Sequence, residues 1–349
     1  MTSEQAFQII DELEKEVESK EEEKTFHLST EVLGEDDRWE KRTDSTEKES
    51  ITTKLFSLFE SAVKKVKETD LDINFGQSVE FTHIFQYEVD DLEEISIQIA
   101  NGNVSIHTWD ENNIRIENDV KVYRVETVDL ARKQFLDETL CEVNQSSFRY
   151  RSERKTMKIN AELFIPKNLY QKLKIKLFNG SIRGEQLNVK DIEAKTVNGM
   201  ISFNEVAGQE AEFETIHGQI KLKDVTVDQI EAETVHGMID FVGKVTKVFL
   251  QSLNGNISAT TTNECQTLHT KSVTGNINIT LETYKQINAQ LTSNVGAISY
   301  DIDGVDVLKQ KNEVLQKEIT FKRKSSIEDH LHLFANTKTG SIHVQQLEG

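Results

Sequence analysis

The sequence has little that could bend, cross-link or anchor a chain. Its single proline, Pro166, leaves no room for a Pro-rich linker. Its two cysteines, Cys141 and Cys265, lie 124 residues apart, which excludes a disulfide framework or a zinc centre. Two small, partly buried thiols in a reducing compartment are expected instead. No stretch approaches 18 uninterrupted apolar residues, so no transmembrane helix is predicted. The opening run MTSEQAFQIIDELEKEVESKEEEK lacks a basic segment followed by an apolar one, so no ordinary signal peptide is predicted either. Cations are in deficit: 41 Lys+Arg against 60 Asp+Glu give a net charge of −19. That balance disfavours a nucleic-acid binder, which needs a basic face to displace counterions, and broad adsorption to anionic lipid. The G-x-S-x-G, G-x-x-x-x-G-K-[ST] and H-E-x-x-H signatures are missing. No catalytic residue, cofactor site or metal site is therefore assigned.

At 36% apolar and 29% charged residues, the 349-residue chain reads as globular but polar, large enough for one large or two ordinary domains. The acidity is local: residues 1–50 hold seventeen Asp+Glu and seven Lys+Arg, a net of −10. Within 1–24, residues 4–18 are predicted helical from Phe7, Ile10, Leu13 and Val17, with Thr2 and Gln5 as a capping box. Residues 25–46 read as an acidic linker. Residues 47–68 read as an amphipathic helix, capped by Thr46 and Glu49, with an apolar stripe from Ile51 to Val66 beside Lys54, Lys64, Lys65 and Lys67.

The dominant signal is a repeat over the remainder, 69–349. Glycines at 180, 199, 218, 237, 255, 275 and 296 follow at steps of 19, 19, 19, 18, 20 and 21, with Gly340 forty-four residues on and an outlying copy at Gly102. Two residues after each main-run glycine stands Ile182, Ile201, Ile220, Ile239, Ile257, Ile277, Ile298 or Ile342. Three residues before it the column runs Leu177, Thr196, Thr215, Thr234, Ser252, Ser272, Ser293 and Thr337, and apolar residues recur five and seven before. Spacing is odd on one side of the glycine and even on the other, the mark of two half-buried strands of period two. Asn-Gly, common in this frame, points to a turn with positive φ.

A lone hairpin does not explain why the same side chain returns in each copy. Coils stacked at about 4.8 Å do, because each column then becomes a ladder through the core. The predicted fold is mainly β: a single-stranded right-handed β-solenoid of about 19–21 residues per coil, with short N-terminal helices and one inserted helix near 126–142. A hairpin near 301–325 is a second insertion, and the cluster Phe321-Lys322-Arg323-Lys324 reads as its solvated loop edge. Open end coils need caps; residues 70–90 and the C-terminal strand are the expected ones.

The coil pattern, the segment IANGNVSIHTWDENNIRIENDVKVYR (99–124), IPKNLYQKLKIKLFNGSIRGE (165–185) and DLDINFGQSVEFTHIF (70–85) carry a family resemblance. The region from about 70 to 349 resembles the bacterial β-strand-repeat family of unknown function labelled "putative adhesin", and within it the YvlB- and LiaX-type proteins of Gram-positive bacteria. That resemblance implies a non-enzymatic protein of cell-envelope stress. LiaX-type members are described as sensors of cell-envelope antibiotics, and YvlB-type members are linked with phage-shock-type membrane proteins. A protein partner, a phage-shock-type membrane protein among the candidates, is the implied ligand. Residence in the cytoplasm as synthesised, with or without membrane association, is the implied location, and surface exposure would need a non-classical route.

Three polar groupings stand out. His217 and His236 hold equivalent turn positions one coil apart and would stack within metal-bridging reach, but two histidines make a poor zinc site and both replace a turn asparagine. Asp329-His330-Leu331-His332 sets two histidines on one strand face. Glu193, Glu212, Glu214, Glu231 and Glu233, with Lys195, Lys221 and Lys223, are expected to alternate in sign and pair between coils as a solubilising ladder. The leading expectation is a binding or sensing module. A surface adhesin for glycans or cationic peptides and a carbohydrate-active β-helix enzyme are its rivals.

Overall fold

The computed structural model describes residues 77–347 apart from 90, 283–285, 314–315 and 325–329. The chain divides into two units between Phe75 and Gly76, and every described strand belongs to the second. The predicted helices at 4–18 and 47–68 and the linker between them lie outside the described residues.

Seven strands and one helix come first: β1 (Ser78–Glu88), β2 (Glu94–Asn101), β3 (Val104–Trp109), β4 (Asn113–Tyr123), α1 (Val128–Glu138), β5 (Leu140–Asn144), β6 (Ser147–Ser152) and β7 (Met157–Pro166). The central run is β8 (Leu169–Asn179), β9 (Ile182–Asn198), β10 (Ile201–Ala207), β11 (Glu210–His217), β12 (Ile220–His236), β13 (Ile239–Asn254), β14 (Ile257–Thr261), β15 (Thr267–Thr274) and β16 (Ile277–Leu281). The last part is β17 (Gln286–Val295), β18 (Ile298–Asp301), β19 (Asp306–Glu313), β20 (Gln316–Arg323), β21 (His330–Thr339) and β22 (Ile342–Gln346).

The strands stack in parallel as a two-faced β-solenoid. The face that follows each glycine runs β7, β3, β9, β10, β12, β13, β14, β16, β22, β18. The face that precedes it runs β6, β2, β8, β9, β11, β12, β13, β15, β21, β17. Strands β9, β12 and β13 pass through both. The isoleucine column pairs with itself from Ile182 through Ile201, Ile220, Ile239, Ile257 and Ile277 to Ile342 and then Ile298, with Val104 before it. All but the terminal Ile298 are buried.

Core packing alternates large with small between coils. Phe213 pairs with Ala194 on one side and Ala232 on the other, and Phe241 lies beside Ala259. Gly184, the exception in its column, is explained the same way: a Cβ there would meet the Phe203 ring at 2.4 Å.

The turn glycines are required by approach rather than by φ. Only Gly102, Gly180 and Gly275 among them have positive φ, which corrects the Asn-Gly turn expectation for the rest. A Cβ on Gly218 would lie 1.8 Å from Gly199 O, on Gly237 1.8 Å from Gly218 O and on Gly255 1.8 Å from Gly237 O. The hydroxyl ladder uses the same carbonyls. Thr215 donates to Gly199 O at 3.0 Å, Thr234 to Gly218 O at 3.0 Å, Ser252 to Gly237 O at 3.0 Å and Ser272 to Gly255 O at 3.1 Å. Glycine admits the next coil, and the Thr/Ser hydroxyl satisfies the carbonyl that this approach buries.

Chain order and stacking order diverge at both ends. Coil β2–β3 lies between β6–β7 and β8–β9, and coil β21–β22 lies between β15–β16 and β17–β18. The C-terminal strand is therefore an inner rung, not the expected end cap. The cap at that end is the antiparallel hairpin β19–β20 against β17, with the fully buried Phe321 ring 5.0 Å from that of Tyr300. Phe321-Lys322-Arg323 thus belongs to a strand, with Phe321 plugging the core and Lys322 exposed, which corrects the loop-edge expectation. At the other end β1 pairs antiparallel with β4 and β4 with β7, while α1 sinks Ala131 and Phe135 into the core. Thr127 caps α1, accepting from Leu130 N at 3.3 Å.

Candidate interaction surface

Period-two alternation turns the residues two, four and six before each glycine away from the core, onto the outer side of the sheet that precedes it. In four successive coils the outermost column reads Lys174, Glu193, Glu212, Glu231 and the next reads Lys176, Lys195, Glu214, Glu233. The third, beside the turn, is apolar: Phe178, Val197, Ile216, Val235. These four side chains are buried, from 8% exposure at Phe178 to 1% at Val235, yet they sit apart from the central core.

The charges do not alternate as expected. Register sets Glu212 beside Glu231 and Glu214 beside Glu233, like against like. Lys221 and Lys223 lie on the other sheet, where Lys223 approaches Asp224 at 3.9 Å. Lys195 is the hub: its Nζ lies 3.0 Å from Glu212, 3.5 Å from Glu214 and 3.6 Å from Glu193. Glu193 also receives Lys174 at 3.0 Å and Lys176 at 3.8 Å. Lys176 is only 5% exposed and Glu233 only 6%. Burial, reinforced by Glu212 and Glu231 and opposed by Lys195, pushes the Glu214 carboxyl up to about 8. Burial and the neighbouring Glu214 push Glu233 the same way. The surface is therefore a desolvated polar network flanked by an apolar column, not a solvated ladder.

His217 and His236 are brought together: their rings stack 4.9 Å apart and 3° from parallel. They continue a turn ladder in which Asn179 donates to Asn101 at 2.9 Å and Asn198 to Asn179 at 2.7 Å, and Asn254 meets His236 Nδ1 at 3.1 Å. Among the described residues no group of three His, Cys, Asp or Glu could hold a metal ion. His330 and His332 share a face with rings 6.5 Å apart; burial, His330 and Lys322 lower the His332 pKa, and Asp329 lies outside the described residues. Cys141 and Cys265 are free thiols, both pushed up to about 12 by burial. No helix among the described residues is long and apolar enough to cross a membrane.

The glycine and isoleucine columns serve the stacking and carry no ligand chemistry. Sequence reading missed the apolar outer column, although its signal was present: an apolar residue directly follows the Leu177, Thr196, Thr215 and Thr234 position in four successive coils.

A family model described as Toastrack DUF4097 matches residues 92–345, which spans the solenoid from β2 to β22. The chain belongs to the Toastrack family. The "Uncharacterized protein YvlB" of Bacillus subtilis (strain 168) is 46% identical over 343 residues, 98% of this chain and 94% of that one. Two solved structures resemble it more distantly. A "putative adhesin" from Bacteroides fragilis NCTC 9343 is 12% identical, with a TM-score of 0.42 over 76% of this chain and 97% of that one. A "putative lipid binding protein" from Parabacteroides distasonis ATCC 8503 is 13% identical, with a TM-score of 0.36 over 76% and 97%. What identifies this Toastrack chain is thus its own repeat and the relative at 46% identity.

Proposed function

We infer that this Toastrack protein is a non-catalytic binding and sensing module of the bacterial cell-envelope stress response, acting through protein contacts on the outer face of the sheet that precedes the glycines. The observation that carries the reading is the desolvated Lys195–glutamate network beside the column Phe178, Val197, Ile216, Val235. Over this buried layer the face presents the half-buried carboxylates Glu212 and Glu231, on a backbone ordered by parallel stacking. The partner is a membrane protein of the phage-shock type, presenting cations to the half-buried Glu212 and Glu231.

The test is crosslinking in cells under envelope stress, comparing the wild-type chain with Glu212→Lys/Glu231→Lys and with Asp240→Lys on the other sheet. A membrane protein recovered with wild type and Asp240→Lys but lost with the double variant supports the reading. Recovery of no membrane protein, or equal recovery with the double variant, overturns it. The raised Glu214 carboxyl beside Glu231 is what a carbohydrate-active site would use as a proton donor. Depolymerisation of a cell-wall polysaccharide that disappears in Glu214→Gln would replace the binding reading with that one.

A further inference from the structure

The coil β21–β22 fills a slot one coil thick. On one side Leu333, Ala335 and Thr337 pair with Leu268, Thr270 and Ser272, and Ile342 pairs with Ile277. On the other side the same residues pair with Ala289, Leu291, Ser293 and Ile298. The hydroxyl ladder runs through it: Thr337 donates to Gly275 O at 3.0 Å, and Ser293 donates to Gly340 O at 2.8 Å. Apart from the chain itself between Leu281 and Gln286, the strand pairings that join β17–β18 to β15–β16 pass through this coil, and the coil is synthesised after both. Until it arrives, β15–β16 presents a parallel edge whose side-chain columns fit the same segment of any copy of this chain.

We propose that two copies of this protein exchange their C-terminal coils, each β21–β22 entering the slot between β15–β16 and β17–β18 of the other. Nothing in the register or the ladder bonds distinguishes a chain's own coil from a second copy's. The choice is set by supply. The covalent link from Arg323 to His330 spans six residues, 324–329, so a chain's own coil arrives at an effective concentration in the millimolar range. Exchange therefore grows with the concentration of folding chains. It stops once the slot closes, because two edges must then open together. The product is a reciprocal, two-fold dimer built from the same contacts as the monomer.

The test uses Lys271 and Asn336, which face each other across β15 and β21. A tagged Lys271→Cys chain and an untagged Asn336→Cys chain are refolded together from urea and then oxidised. The double variant Lys271→Cys/Asn336→Cys serves as the control for geometry, and wild type as the control for Cys141 and Cys265. Exchange predicts a mixed disulfide carrying one chain of each kind, with a yield that rises at least severalfold for a tenfold rise in chain concentration during folding. It also predicts a wild-type dimer on size exclusion that persists after dilution. If the double variant closes within single chains while mixed chains stay separate at every concentration, the proposal fails. A mixed yield indifferent to concentration during folding, or one that forms equally from chains mixed after folding, also overturns it.

Discussion

At Gly218 the space for a side chain is already occupied, since a methyl carbon there would stand 1.8 Å from Gly199 O. Gly218→Ala must push two coils apart, and a loss of about 3 kcal/mol or more is expected in urea unfolding. Gly304 is the control: its φ is +70° and nothing lies within 4 Å of an added Cβ, so Gly304→Ala should cost only about 1 kcal/mol. Equal losses at the two sites would show that turn conformation, not close approach, selects glycine in this frame. The hydroxyl ladder is separable from it. Thr234→Val keeps the shape and leaves Gly218 O without its donor, so about 1–3 kcal/mol should be lost, while Thr234→Ser keeps the bond and should cost under about 1 kcal/mol. Both columns were legible in the sequence as columns. Their coupling was not, because the carbonyl that joins them belongs to the backbone of the neighbouring coil and leaves no letter in the sequence.

Within a coil, the strand after the glycine carries an extra residue at Gln186, Glu205 and Asp224, each with φ between 52° and 56°. The next coil omits it, so the register shifts between Leu222 and Val225, and this is the origin of the single 18-residue step. A left-handed backbone at a glutamate is strained, so Glu205→Gly should raise stability by about 0.5–1 kcal/mol, read as a higher urea midpoint. The spacing alone did not reveal this bulge, since no glycine or asparagine marks it. The glutamate columns are legible by position but were misjudged by environment: alternating sign was expected, and register instead set Glu214 against Glu233. A carboxyl raised from its ordinary value to about 8 in the folded chain keeps its proton after the unfolded chain has lost it. Its stabilising contribution is full below the ordinary carboxylate range, falls as pH rises towards about 8 and is flat beyond. Glu214→Gln has no such proton to lose. The Tm of wild type relative to that variant should therefore fall between pH 5 and pH 8, and a difference constant across that range would remove Glu214 from the titrating network.

Across the whole molecule, the repeat pattern identifies which segments are coils and says nothing of which coils are neighbours. The coils from Gly180 onward show the same Gly-x-Ile frame to both sides, so the place of Gly340 between Gly275 and Gly296 had to come from register. The clue within the chain was length: the 44-residue step from Gly296 to Gly340 holds the hairpin β19–β20, which must sit outside β17 for the chain to return beneath it. The consequence is an unequal dependence. By strand pairing, the coil β17–β18 and its hairpin reach the solenoid body only through β21–β22, whereas β15–β16 is held by β13–β14 on its other side. Ending the chain at Lys324 should therefore free residues 286–323 as well as remove the last coil, while residues up to 281 keep their protection. In amide exchange, peptides from 286–323 should exchange as fast as unfolded chain, and those from β12 and β13 should stay slow. If β17 instead remained protected, it would have closed directly onto β15, and stacking in this solenoid would be set by pattern alone without regard to which coil supplies it.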